Sequence, residues 1–232
     1  MLQFCKAEVA ARIDEGDNFN DRRAIIYARN ACWDLARQVG VRYFIQLDDD
    51  YDHISIKFDK QRRVITRRIK IPIEPIWCAM LEYFERTPQL ATLAMAQGGD
   101  YIGGANCAGI KLKRKAMNTF ICSTDRTFLF FGRINEDVNT YVTQGRRGVF
   151  FATATNAWIN QMTTQAQAGG MTDLYVDAGT YIKTFYSVMY SPSCVKVGQI
   201  GDNRDGNAHY RIHHKINWHH CAPKILREEW KK

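Results

Sequence analysis

The run Tyr43-Phe44-Ile45-Gln46-Leu47-Asp48-Asp49-Asp50-Tyr51 constrains this chain more than any other stretch, because an apolar strand delivers three successive carboxylates to its C-terminal end. Three adjacent anions repel one another and need a cation. In an α/β sheet the carboxyl end of a strand is where ligands bind, and a hard divalent metal prefers oxygen donors. Side chains alternate along an extended chain, so Asp48 and Asp50 face one way and Asp49 the other. A strand ending in Asp-x-Asp points to metal-assisted handling of a nucleotide diphosphate. An acidic surface loop, or an Asp-rich helix start, is the competing reading of the run taken alone.

The surrounding chain supports a folded domain. At 232 residues it can bury a full core, and one domain over 1–232 is the expectation. No apolar run approaches the length needed to cross a bilayer, and the first residues lack a secretory signal, so a soluble chain in the cytoplasm, off the membrane, is expected. Seven cysteines, odd in number and never spaced Cys-x-x-Cys, read as reduced packing thiols. The net charge is +8. Such a balance favours polyanionic partners, and two basic patches carry it: Arg62, Arg63, Arg67, Arg68 and Lys70, and Lys111, Lys113, Arg114 and Lys115.

Periodicity orders the chain into alternating strands and helices. Leu2–Cys5 reads as a short strand; Ile25, Ala28, Cys32, Leu35 and Val39 mark an amphipathic helix ended by Gly40. A hairpin follows over Ile54–Ile69 with Asp59-Lys60 at its tip. Pro72 and Pro75 open a helix striped by Trp77, Met80, Leu81 and Phe84 and stopped near Thr87-Pro88. Ala91–Ala96, Phe128–Phe131 and Val149–Thr153 read as strands, Glu136–Gln144 as a short helix, and Asp173–Met189 as a longer one. Val195, Val197 and the alternating tract His209–Ile216 close the chain as late strands. The class is an α/β sandwich.

Three groups are candidates to complete a site around Asp48–Asp50. Tyr27-Ala28-Arg29-Asn30 precedes the acidic strand, and a guanidinium suits bidentate contact with phosphate, although a solvated Arg on a helix face has the same sequence. Arg133-Ile134-Asn135-Glu136-Asp137-Val138 places two carboxylates after an apolar stretch, where one can serve as general base or simply complement a helix N-terminus. Five of the six histidines fall between His209 and His220. In an extended segment His213 and His214 face opposite sides, so one of them at most points into a shared site; an imidazole beside carboxylates favours manganese over magnesium. A zinc cluster from His213, His214, His219, His220 and Cys221 is the rival, without a second cysteine pair to support it. The loop Gly98–Gly104 lacks both the Walker lysine and the dinucleotide spacing, and reads as a substrate-side loop.

Taken in order, Tyr-Ala-Arg-Asn at 27–30, the acidic strand, the Gly-Gly loop, Arg-Ile-Asn-Glu-Asp-Val-Asn-Thr-Tyr at 133–141, Val176-Asp177-Ala178-Gly179-Thr180-Tyr181, Ser191–Lys196 and Ile212–Trp218 resemble the TET/JBP-associated glycosyltransferases. These are GT-A-type enzymes that glycosylate oxidised bases in DNA. The resemblance implies a GT-A-like nucleotide-diphospho-sugar transferase sandwich and transfer from a nucleotide sugar, a UDP-sugar by expectation, to the hydroxyl of a 5-hydroxymethylpyrimidine in DNA. It implies Asp50 on the metal, with His213 or His214 completing the shell. Arg29, Asn30, Asp48 and Asp49 would hold the nucleotide sugar, and Asp137, with Glu136 second, would be the base. GT-A folds open with a nucleotide-gripping β-α unit, and only 47 residues precede Asp48, which leaves a unit of roughly 30 residues open to being absent. A non-catalytic GT-A-like DNA-binding module, and a nucleotidyl- or phosphoryltransferase using the Asp cluster, are the alternatives.

Overall fold

The computed structural model describes residues 2–61, 63–70, 72–97, 116–162, 171–179, 181–204 and 207–221. The Gly98–Gly104 loop, Arg62, the Lys111–Lys115 patch and Thr180 lie outside the described residues.

Helix α1 (Lys6–Ala10) begins where a strand was expected over Leu2–Cys5, which is irregular. Helix α2 (Ile26–Gln38) turns Ile26, Tyr27, Ala31 and Trp33 inward, and Gly40 ends it at a positive φ. Strand β1 (Tyr43–Gln46), the expected hairpin β2 (Tyr51–Phe58) with β3 (Val64–Arg68), helix α3 (Glu74–Arg86) and β4 (Leu90–Ala96) follow. Then come β5 (Phe120–Ser123), α4 (Glu136–Gly145) and the long β6 (Phe150–Gln161). Helices α5 (Thr172–Ala178) and α6 (Ile182–Tyr190), strands β7 (Val195–Arg204) and β8 (Asn207–Ile216) and a last turn of helix α7 (Trp218–Cys221) complete the order.

Six strands form one mixed sheet in the order β1-β5-β4-β6-β2-β3. β4 and β6 pair in parallel and every other pairing is antiparallel, so β1, β4 and β6 all run the same way and end on the same edge. Helices cover both faces. On one, Trp33 of α2 meets Phe128 edge-on at 4.9 Å and Phe44 at 5.8 Å, and Val138, Tyr141 and Val142 of α4 join the same core. On the other, Met80 and Phe84 of α3 pack on Leu90, Leu93, Met95 and Ile121. This is a GT-A-like α/β arrangement. The acidic strand is less buried than its composition suggests: β1 sits at the end of the sheet's strand order, and Ile45 and Leu47 keep 39% and 53% of their surface exposed.

Two sequence expectations fail for local reasons. Phe128–Phe131 buries Phe128 and Phe130 yet is no strand, because side chains hold its backbone groups where a neighbouring strand would. Asn30 accepts from the Phe130 N–H at 2.9 Å and donates to the Phe130 carbonyl at 3.2 Å, while Thr140 Oγ1 accepts from the Phe131 N–H at 3.0 Å. The helix expected over Asp173–Met189 is broken at Gly179, whose φ of 78° and ψ of 152° suit glycine alone, and a Cβ there would lie 2.7 Å from the Tyr181 ring.

Candidate active site

The segment Leu47–Asp50 joins β1 at one side of the sheet to β2 near the other, so it must cross the intervening strand ends. It crosses the edge where β1, β4 and β6 terminate. The Met162 N–H donates to the Asp50 carbonyl at 2.9 Å and Gln161 Nε2 to Asp50 Oδ1 at 3.1 Å, which ties the crossing to the end of β6. The three carboxylates therefore stand over the carboxyl ends of parallel-running strands, the place where open α/β sheets bind ligands. Asp48 and Asp50 are half-buried, and the Asp50 charge adds to the cost of ionising Asp48; Asp49 is exposed.

Arg29 organises what lies beneath them. Its side chain, only 5% exposed, donates from Nη2 to Asp48 Oδ1 at 2.7 Å and from Nε to Glu136 Oε1 at 2.9 Å. The guanidinium lies 4.8 Å from the centre of the Phe120 ring and 5.6 Å from that of Phe130, so its faces are apolar and its edge is spent on carboxylates. Glu136 reaches this position because Asn135 adopts a left-handed φ of 62° at the start of α4 and anchors its amide to Ser187 Oγ at 2.7 Å. The turn sets Glu136 and Asp137 side by side in the first turn of the helix, where the exposed N–H groups favour negative charge.

Asp137 keeps part of its surface open to solvent, yet its surroundings disfavour the anion. Burial is the chief cause and the adjacent Glu136 charge adds to it, so that the carboxyl is pushed up to about 7 despite the Val138 N–H it accepts at 2.7 Å and the nearby Arg29. Burial likewise raises Asp48, with Glu136 and Asp50 contributing and Arg29 opposing. Across from the acids, Lys183 of α6 lies over the Tyr175 ring, 4.4 Å from its centre. Burial lowers its pKa while Asp137 and Glu136 raise it, and Arg211 of β8 lowers it. Burial, Arg211 and Lys183 together hold His213 below its ordinary value.

The sequence candidates thus separate. Arg29, Asp48, Glu136 and Asp137 come together as expected, although Arg29 bridges carboxylates and does not present a free fork to a diphosphate. Asn30 has an interior structural role: its amide is committed to the Ile26 and Phe130 backbone. His213 and His214 do not face opposite sides, for their rings lie 4.2 Å apart. Among the described residues no group of three or more His, Cys, Asp or Glu side chains is placed to enclose a metal, so Asp50, His213 and His214 do not form one ligand set. Asp48 and Asp50 alone fit a hard divalent ion of the kind held by one or two carboxylates, water and substrate phosphates, and the surplus of acids over Arg29 supplies the attraction. Lys183 and Tyr175 were missed, since a lysine on an amphipathic helix has no sequence signal that separates it from a solvated one. A cavity of about 560 Å3 opens on the opposite face of the sheet, lined by Met80, Tyr83, Leu93 and Ala152 among others, away from these groups.

Six described cysteines are free thiols, and among the described residues no helix is long and apolar enough to cross a membrane. No curated protein matches the chain, and no solved structure does. The model of one family, TET-Associated Glycosyltransferase, matches residues 1–170, a stretch that holds Arg29, Asp48, Asp50, Glu136 and Asp137 and ends before Tyr175, Lys183 and His213. With nearly three-quarters of its length matched and the carboxylates seated at the ligand-binding edge of an α/β sheet, the chain belongs to the TET-associated glycosyltransferases and is a glycosyltransferase.

Proposed function

We propose that this glycosyltransferase moves a sugar from a UDP-sugar to the hydroxyl of a 5-hydroxymethylpyrimidine in DNA, with a divalent cation, manganese or magnesium, held at Asp48 and Asp50. One observation carries the reading: a single buried guanidinium couples the acidic crossing at the sheet edge to Glu136, next to a partly open carboxyl at Asp137 that is poised near neutral pH. A general base works best when its pKa lies near the operating pH. Asp137 takes the proton of the acceptor hydroxyl, whose oxygen attacks the anomeric carbon as the bond from that carbon to the β-phosphate oxygen breaks and the diphosphate leaves with the electron pair. A bound cation would supply charge neutralisation to the departing diphosphate. Arg29 holds Glu136 and Asp48 fixed on either side of this path. Lys183 and Arg211 lend positive charge on the far side. The preference for manganese drew on an imidazole ligand, and an all-oxygen pair gives no reason to exclude magnesium.

The test is to incubate the protein with manganese or magnesium, a panel of UDP-sugars and DNA bearing cytosine, 5-hydroxymethylcytosine or 5-hydroxymethyluracil, and to weigh the released nucleosides. A mass increase of one sugar confined to a hydroxymethylated base is the expected result. DNA binding without transfer would select a non-catalytic module, and nucleotide release with no sugar on the base would select a nucleotidyl- or phosphoryltransferase.

A further inference from the structure

The β7–β8 hairpin forms a sheet of its own, paired without a break from Val195 and Ile216 at its root to Arg204 and Asn207 at its tip. The root is built into the protein. Val195 is fully buried, Ile216 packs on the core beneath α2, the Asn217 N–H donates to the Cys194 carbonyl at 2.7 Å, and α6 runs alongside. Beyond the root the ribbon keeps residues exposed that a strand pair lying on its own protein would bury: Val197 at 49%, Ile212 at 42% and Tyr210 at 69%.

The charge on the ribbon is placed at a cost. Lys196 and Lys215 are direct partners in register, and like charges opposite one another destabilise an antiparallel pair. Alternation puts Arg211 on that same face, across from Ile200. All three are exposed, and none makes an ion pair with a described residue. Between the Lys196–Lys215 rung and the Ile200–Arg211 rung lies Gly198 opposite His213, and the stem of Lys215 lies over the glycine backbone. Repelling cations gathered on one face are relieved by a polyanion set against them.

We propose that the β7–β8 ribbon is the surface that docks duplex DNA, with its Lys196, Arg211 and Lys215 face set against the phosphates and the ribbon lying in the major groove. The inference rests on the reading that the acceptor is DNA. The dimensions agree: the rungs beyond the buried Val195–Ile216 pair, at about 3.4 Å each, span most of one helical turn, and the major groove of B-form DNA admits a two-stranded ribbon. The 5-substituent of a pyrimidine also lies in that groove. Helix α6, which packs against both strands of the ribbon, carries Lys183, whose charge acts on His213 and on Asp137 and Glu136 alike, so the ribbon adjoins the acidic site.

The test compares the wild-type protein with a Lys196→Ala/Lys215→Ala variant and with Tyr210→Ala. Binding of a labelled 20-base-pair duplex is followed by fluorescence anisotropy over a salt series, and folding is checked by thermal melting. Each lost phosphate contact should lower the slope of log K against log salt by about 0.9, hence by about 1.8 for the double variant. Tyr210→Ala, on the opposite face of the ribbon, should leave both the affinity and the slope at their wild-type values. A folded double variant with the wild-type slope, absence of duplex binding by the wild type, or equal competition by an A-form RNA duplex of the same length would each overturn the proposal. The slope is read without turnover. Sugar transfer to a free hydroxymethyl nucleoside, measured on the same proteins, tests the glycosyl-transfer reading separately.

Discussion

Replacing Arg29 with Met keeps the bulk of the side chain over Phe120 and Phe130 and removes the charge that two carboxylates share. In the wild type the guanidinium makes charge-assisted hydrogen bonds of 2.7 Å to Asp48 and 2.9 Å to Glu136 while almost wholly buried. Deleting one member of a buried ionic group leaves its partners uncompensated, at a cost of about 3–5 kcal/mol. Unfolding entropy near 2.1 cal/mol/K per residue gives roughly 0.5 kcal/mol/K for a chain of 232 residues, so the melting temperature should fall by about 6–10 °C. The loss should depend on pH with a definite sign. Without Arg29 the Asp48 carboxyl, which burial already raises in the wild type, loses the positive charge that opposes the rise, so the folded variant holds its proton to higher pH than the folded wild type does. Its deficit relative to wild type is therefore smaller at pH 5 than at pH 8. Calorimetric melting of both proteins at the two pH values measures this, and adding Asp48→Asn with Glu136→Gln, which discharges the orphaned acids, should recover at least half of the loss. A melting change under 2 °C at pH 8, or a deficit equal at both pH values, would refute the bridging role.

Other substitutions separate chemistry from architecture. Asp137→Asn should abolish sugar transfer while donor affinity, measured by titration calorimetry, stays within about twofold, the pattern of an interaction made only in the transition state; wild-type transfer should rise with pH through about 7 and level off, because the deprotonated carboxyl is the active form. The same group, raised above its unfolded value of 3.8, makes wild-type stability decline as pH climbs from about 4 to about 7, and Asp137→Asn should remove that slope from a series of denaturant melts. Asn30→Ala should destabilise by about 1–3 kcal/mol, since it strands the Phe130 N–H and carbonyl, with UDP-sugar affinity unchanged in the folded fraction; a loss of affinity at full stability would return Asn30 to the donor site. Asp50→Asn should leave melting unchanged and weaken cation-dependent UDP-sugar binding at least tenfold, and unchanged binding would remove Asp50 from the cation site.

What the sequence revealed and what it hid follow from the range of the forces involved. Helices α2, α3 and α4 were legible because apolar residues recur at helical spacing and Gly or Pro marks an end, and the β2–β3 hairpin and the late strand β8 because alternation is local, whereas the pairing of β8 with β7 was not. Strand β5 was not, for Phe-Ile-Cys-Ser is four residues buried on both sides with no alternation to read. Phe128–Phe131 looked like a strand because extended apolar backbone has one composition whether a strand or an asparagine satisfies it. The site divides the same way. The acidic run announced itself, but the partner of Asp48 is 19 residues upstream and the second partner of that arginine 107 residues downstream, distances over which a single sequence records no contact. Arg29 and Asn30 stood together in one motif, and only the geometry assigns one to the carboxylates and the other to the core.

The bridging geometry also bears on how a diphosphate can be held. A fork-like Arg29–phosphate contact would have to compete with Asp48 and Glu136 for the same Nε and Nη2 donors, and taking them would leave two buried carboxylates unpaired at about the 3–5 kcal/mol already assigned to losing the bridge. A divalent ion, held by Asp48 and Asp50, would have the opposite effect. Its positive charge would fall where burial and neighbouring acids already raise Asp48, lowering the cost of keeping that carboxylate ionised while leaving the Arg29 bridge intact. Lys183 of α6 would then supply positive charge to a departing diphosphate from the other side, while Arg29 holds both acidic elements in register. On this division of roles Arg29→Lys is not conservative: an ammonium is a point charge without the rigid fork, and it cannot keep the Asp48 and Glu136 bonds together on one planar group.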